Sequence, residues 1–151
     1  MQRWIVIGVI AMAMMLGGGA FAFRAYKQNR PCPIWVPLQI NGEISVEKQD
    51  EIAKDLKQKL CDPKILAQVS KDLGLAAEWE MTSDAQGADE LARRVFVRVG
   101  ETKGQLGNVP SLDVGINGKL KERVLSEKIA MRLMQDVWKI LGIKAPPQRK
   151  I

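Results

Sequence analysis

Three observations predict an α+β fold for this 151-residue chain. Apolar residues alternate with period two at 34–40, 95–99 and 112–117, the signature of half-buried strands. They recur with the helical period at 46–60, 63–73 and 121–141. The two patterns follow one another as strand, helix pair, strand, strand, helix, an order that favours one mixed layer architecture over separate all-helical or all-strand blocks.

The first strand, IWVPLQI, puts Ile34, Val36, Leu38 and Ile40 on one face and Trp35, Pro37 and Gln39 on the other. Pro37 has no N–H to give to a ladder, so this strand belongs at a sheet edge, and Asn41-Gly42 breaks it. From Val46 to Leu60, the residues Ile52, Ala53, Leu56 and Leu60 form an apolar stripe with EKQDE and KQK opposite, an amphipathic helix packed on a sheet. Asp62-Pro63 suits the N-cap and first position of a second helix, with Ile65, Leu66, Val69 and Leu73 as its stripe. Gly74 is a stop and Leu75 a staple beyond it.

A polar, glycine-containing link leads to a short helix over 88–94. VFVRV then turns Val95, Val97 and Val99 inward, and LDVGIN does the same with Leu112, Val114 and Ile116. The segment between them, Gly100 to Ser111, holds three glycines and a proline and reads as the loop of a hairpin. A final helix over 121–141 carries Leu125, Ile129, Leu133, Val137 and Leu141, and Gly142 with Pro146 and Pro147 ends it. The sum is the βαββα core of a ferredoxin-like domain, with an antiparallel or mixed three-stranded sheet and helices on one face. Its last strand is short or missing, which leaves the first strand as an uncovered edge that invites a partner.

The N-terminus is of another kind. WIVIGVIAMAMMLGGGAFAF, from Trp4 to Phe23, carries no charge and lies between Arg3 and the group Arg24, Lys27 and Arg30. It is long enough to cross a hydrocarbon core of about 30 Å. It is either an uncleaved anchor with its short tail inside, or a secretory signal with Ala20-Phe21-Ala22 as the small-x-small site. Both place the remainder outside the cytoplasm: an inner-membrane single-pass protein with a periplasmic domain, or a soluble periplasmic one. The divisions expected are 1–23 anchor or signal, 24–33 linker, 34–142 α+β domain and 143–151 a basic, Pro-containing tail.

Composition narrows the chemistry. The chain has no histidine and a net charge of +6, but its basic residues are interleaved with acidic ones and aromatics are few, which argues against nucleic acid. Without histidine the easiest neutral-pH base and most zinc sites are gone. No metal, cofactor or catalytic residue is expected; the nearest to an enzymatic constellation is Glu78, Glu80 and Asp84 around Trp79. Trp35 and Trp79, with Pro37 at the sheet edge, are the candidate contacts for a partner or a glycan. Cys32 precedes the first strand and Cys61 follows the first helix, so a helix running back along that strand brings the two thiols to one end. The expected disulfide closes a loop of about 30 residues and contributes roughly 3–4 kcal/mol. The alternatives are a buried free Cys61 or a Cys32 that links subunits.

Taken in order, these pieces resemble the periplasmic domain of the polysaccharide chain-length determinant (Wzz-type co-polymerase) family. The pieces are an apolar N-terminal segment, an alternating strand, a helix, DPKILAQVSKDLGL, the short helix ELARRV, the strands FVRV and SLDVGI, and a helix with SEKIAMRL. The resemblance covers most of residues 1–142. The sequence departs from it at KAPPQRKI, where the family has a Pro-rich turn and a second membrane helix, and it lacks the long helical extension and the cytoplasmic kinase portion. The resemblance implies a non-enzymatic, homo-oligomeric scaffold beside a polysaccharide polymerase or exporter. The same small domain also suits an adaptor of another envelope machine, such as a secretion or pilus apparatus, because fold does not dictate function.

Overall fold

The computed structural model describes residues 23–104 and 107–143. The apolar segment and the C-terminal tail, residues 1–22 and 144–151, lie outside the described residues, and with them the anchor-or-signal reading. Among the described residues no helix is long and apolar enough to cross a membrane. Residues 23–28 are helical and lead directly into the sheet.

The elements are β1 (Pro31–Gln39), α1 (Val46–Leu60), α2 (Pro63–Leu73), α3 (Leu75–Glu78), α4 (Asp84–Arg94), β2 (Val95–Gly104), β3 (Gly107–Lys119), a 3-10 turn (Leu120–Glu122) and α5 (Arg123–Leu141). The three strands form one sheet in the order β1-β3-β2, antiparallel throughout. The fold is α+β, consistent with the βαββα arrangement, and β1 is an edge strand as Pro37 requires.

Local chemistry explains most boundaries. Gln49 reaches back to donate from Nε2 to the Ile44 carbonyl at 2.7 Å, tying down the entry to α1, and Lys57 and Lys59 in the last turn complement the helix dipole. Asp62 caps α2, its Oδ1 accepting from the Lys64 N–H at 2.8 Å, while Pro63 occupies the first turn, where no N–H partner is needed. Gly74 ends α2 in the left-handed region at φ 61°, a conformation that favours glycine.

Two packed clusters fill the space between the helices and one sheet face. Leu66, Val69, Leu75, Leu91, Val95, Ile116, Ile129 and Leu133 make the first. Ala53, Leu56, Leu60, Leu112, Val114, Met134 and Val137 make the second. On the far side α2 and α5 are joined by Arg132, which donates to Asp72 Oδ2 from Nη2 at 2.9 Å and to Asp136 Oδ2 from Nη1 at 2.6 Å. The hydrogen bond from Arg132 holds the Asp72 carboxyl below the usual carboxylate range. A carboxyl whose folded pKa is depressed contributes stability above its unfolded pKa, about 3.9, and loses it as pH falls through the folded value. Asp72→Asn should therefore flatten the acid limb of a stability-against-pH curve below about pH 4 and change its shape little at pH 6 to 8; an acid limb identical to the parent's would refute the linkage.

The structure corrects four sequence expectations. β1 begins at Pro31, not residue 34. α4 starts at Asp84, capped by Ser83, whose Oγ accepts from the Gln86 N–H at 3.4 Å. Gly87 sits inside that helix because the helix presses on its neighbours: a Cβ there would lie 2.5 Å from Ser70 Oγ. The expected loop 100–111 is instead ladder, with Glu101 opposite Pro110 and Gly104 opposite Gly107, so that only 105–106, outside the described residues, lie beyond the pairing. Pro110 is tolerated because its carbonyl accepts from the Ile40 N–H at 3.1 Å. Its missing donor therefore points toward β1, past that strand's last paired residue, and not toward β2. Finally, α5 starts at Arg123 after a 3-10 turn, and Leu141, expected in the stripe, is 40% exposed one residue before the left-handed Gly142 cap.

Candidate functional site

The helices occupy one face of the sheet, and the alternation of each strand fixes what the other face carries. On β1 the exposed positions are Pro31, Pro33, Trp35, Pro37 and Gln39. Trp35 stands opposite Gly115 and Pro37 opposite Asp113, and across β3 those residues meet Phe96 and Arg98 of β2. The middle of the bare face is therefore Trp35, Gly115 and Phe96 in one row and Pro37, Asp113 and Arg98 in the next.

Arg98 joins the rows. Its guanidinium carbon lies 5.1 Å from the ring centroids of both Trp35 and Phe96, within cation–π range. Its Nε is 3.6 Å from Asp113 Oδ2. Asp113 is only 6% exposed, and its Oδ1 accepts from Ser111 Oγ at 3.1 Å, so a carboxylate sunk in the sheet surface positions the arginine between two aromatic rings. Gly115 gives the rings room: a Cβ there would collide with the Ile34 carbonyl and come within 2.6 Å of Trp35 Cβ. Gly100 does the same for Asp113, whose Oδ2 would lie 2.6 Å from an added Cβ. Trp35 remains 43% exposed. The result is a flat aromatic–cation platform, suited to stacking on another ring or apolar face while the guanidinium and Gln39 offer donors.

Trp35 and Pro37 thus share one face, but Trp79 is elsewhere. It packs beside the first core cluster, with Arg94 over its ring at 4.5 Å and its indole N–H buried without a partner among the described residues. It borders a cleft of about 470 Å³ lined by Glu78, Glu80, Arg94, Lys119, Lys121 and Glu122 among others. Arg94 donates from Nε to Glu90 Oε1 at 2.7 Å and from Nη1 to Glu122 Oε2 at 2.8 Å. Glu78 and Glu80 reach the cleft and Asp84 does not, so the three carboxylates considered together in sequence are not brought together. Among the described residues no group of three or more His, Cys, Asp or Glu side chains could hold a metal ion.

Cys32 and Cys61 are free thiols, both half-buried. They were expected to pair on the premise that the first helix runs back along the first strand. Instead α1 packs on β2, and β3 separates β2 from β1, a spacing of about 4.8 Å per strand. Burial pushes the Cys61 thiol up, with Lys57 opposing, so Cys61 is a poor nucleophile at neutral pH.

The residues that sequence reasoning missed are Phe96, Arg98, Ser111, Asp113 and Gly115. Phe96 and Arg98 were visible as the outward positions of VFVRV, and a glycine inside a strand is itself a sign of close approach. Their convergence with Trp35 depends on register across β3. Compared with family models, with curated proteins and with solved structures, the chain matches none.

Proposed function

We propose that the chain is a non-enzymatic, membrane-anchored periplasmic component of surface-polysaccharide assembly or export, a scaffold of the chain-length-determinant kind built on a ferredoxin-like domain. The observation that carries this reading is the helix-free sheet face with its ordered Trp35–Arg98–Phe96 platform. Such a face offers stacking area and fixed donors, with its carboxylate, Asp113, engaged by Ser111 and Arg98, which suits contact with a glycan or a neighbouring subunit. The order of the sequence pieces supports the same reading. The apolar segment before residue 24 supplies the anchor, and the basic residues after it lie at the membrane surface.

Deleting the gene in its host tests this directly. The expected result is a changed length distribution of the surface glycan on gels. Trp35→Ala with Arg98→Ala should reproduce the change while far-ultraviolet circular dichroism stays that of the parent. An unchanged distribution after deletion would sink the proposal.

A further inference from the structure

The two free edges of the sheet are chemically unequal. In an antiparallel pair the residues that exchange backbone hydrogen bonds alternate with residues whose groups point away. The Leu120 N–H donates to the Arg30 carbonyl at 3.0 Å and the Ile40 N–H to the Pro110 carbonyl at 3.1 Å, both in step with the β1–β3 register. Even-numbered residues of β1 therefore bond to β3, and Pro31, Pro33, Trp35, Pro37 and Gln39 face the free edge. Three of these are prolines, so only Trp35 and Gln39 have an N–H to offer an incoming strand. Prolines at outward positions are a recognised way to close an edge, and here they cost the sheet's own ladder nothing.

The β2 edge is open. Even-numbered residues of β3 turn to β1, so its odd-numbered ones turn to β2, where they meet Phe96, Arg98, Gly100, Thr102 and Gly104. Val95, Val97, Val99, Glu101 and Lys103 face outward. The Val95 N–H is taken by the Leu91 carbonyl at the end of α4. Val97, Val99, Glu101 and Lys103 have no backbone partner among the described residues, and none is proline.

We infer that the free edge of β2 is a strand-addition surface whose partner is the same edge of a second copy. The pairing is antiparallel about a two-fold axis, giving a sheet of order β1-β3-β2-β2-β3-β1. Charge selects both partner and register, over a paired segment of residues 100–104 in each copy, in which Glu101 and Lys103 are bonded and Val97 and Val99 stay open beyond the partner's last β2 residue. A two-fold axis at Thr102 sets Glu101 of each copy opposite Lys103 of the other, at positions that exchange backbone hydrogen bonds. An axis at Glu101 would oppose two carboxylates, which is unfavourable, and one at Gly100 would leave both charges opposite valines. Glu101 is already oriented, its Oε2 accepting from Asn108 Nδ2 at 3.0 Å. The closed β1 edge forbids head-to-tail addition, so association stops at a pair rather than growing into an open-ended sheet. This inference does not depend on a role in glycan assembly.

Full-length protein in mild detergent provides the test, in a background of Cys32→Ser and Cys61→Ser. Thr102 would oppose itself across the axis in a non-hydrogen-bonded pair, where Cα atoms are about 4.5 Å apart, within disulfide reach. Mild oxidation of Thr102→Cys should give a covalent dimer, whereas Asn108→Cys, on β3, should not. In sedimentation velocity Glu101→Lys should weaken the dimer about tenfold or more, and Glu101→Lys with Lys103→Glu should restore it. A protein that stays monomeric, or a dimer untouched by Glu101→Lys and not cross-linked through Thr102→Cys, would overturn the inference.

Discussion

Gly115→Ala should destabilise the domain by about 3 kcal/mol, at the top of the usual range for overpacking. Most overpacked sites relax because a flexible side chain swings aside. At Gly115 the obstructing atoms are the Ile34 carbonyl of the β1 backbone and the Cβ of Trp35, and neither can move without shifting the whole edge strand. Because Gly115 pairs with Trp35 on one side and Phe96 on the other, that shift would open the β1–β3 ladder and tip the Trp35 ring off Arg98 together. Urea unfolding measures it: the midpoint should fall with the slope unchanged, since the area exposed on unfolding is the same. Gly42→Ala is the matched control, because its nearest neighbour is Pro110 Cδ at an ordinary 3.8 Å, and its midpoint should hardly move. A Gly115→Ala protein as stable as that control would mean that β1 does not sit on β3 as described.

The elements legible in the sequence are those whose signals are local. α1 has the predicted bounds because Ala53, Leu56, Leu60 and the flanking charges are local signals, although Ile52, expected in the stripe, is exposed and Gln49 is buried in its place. α2 has them because Asp62, Pro63 and Gly74 each act within one turn of their own position. Residues 100–111 read as a loop in the sequence because glycine and proline mark turns on average, whereas in the β2–β3 ribbon two of the glycines, Gly100 and Gly104, leave space for a side chain or the facing strand. Only the register reveals this. Gly87 misled in the same way, hiding the first turn of α4 although it serves close packing against Ser70.

The candidate site shows the same division. Strand alternation alone put Trp35 and Pro37 on one outward face, and the structure keeps them there. Trp79 was grouped with them as an aromatic available for contact, but an indole next to the sequence LGLAAE is drawn against the core by its own short helix, where Arg94 covers it. Arg98 and Asp113 are 15 positions apart in the sequence, and nothing local says that they meet; the hairpin register does. The structure leaves Cys32 and Cys61 unbonded, and the topology gives a reason. In a split β-α-β arrangement the helix following the first strand packs over the strand it leads to, and the central strand arrives between them only later in the chain.

Arg94→Ala should cost about 3 kcal/mol, the lower end of the range for removing one partner of a buried ion pair because this one retains some solvent. Arg94 is 18% exposed and bonds both Glu90 and Glu122, so its loss leaves Glu122, in the turn before α5, without that cation and Glu90, on α4, with only the exposed Arg93 at 3.5 Å. It also uncovers the Trp79 ring, whose N–H has no partner among the described residues. Arg94→Lys should recover only part of the loss, about half, since an ammonium can neither bond both carboxylates in a plane nor lie flat on the indole. Glu122→Gln with Arg94→Ala should be less damaging than the sum of the single changes, because residues in one network are not additive. Urea midpoints for the four proteins, read beside tryptophan fluorescence, decide the matter. If Arg94→Ala unfolds within about 0.5 kcal/mol of the parent, the end of the domain around Trp79 is held by packing alone, and the Glu90–Arg94–Glu122 contacts are no more than surface pairs.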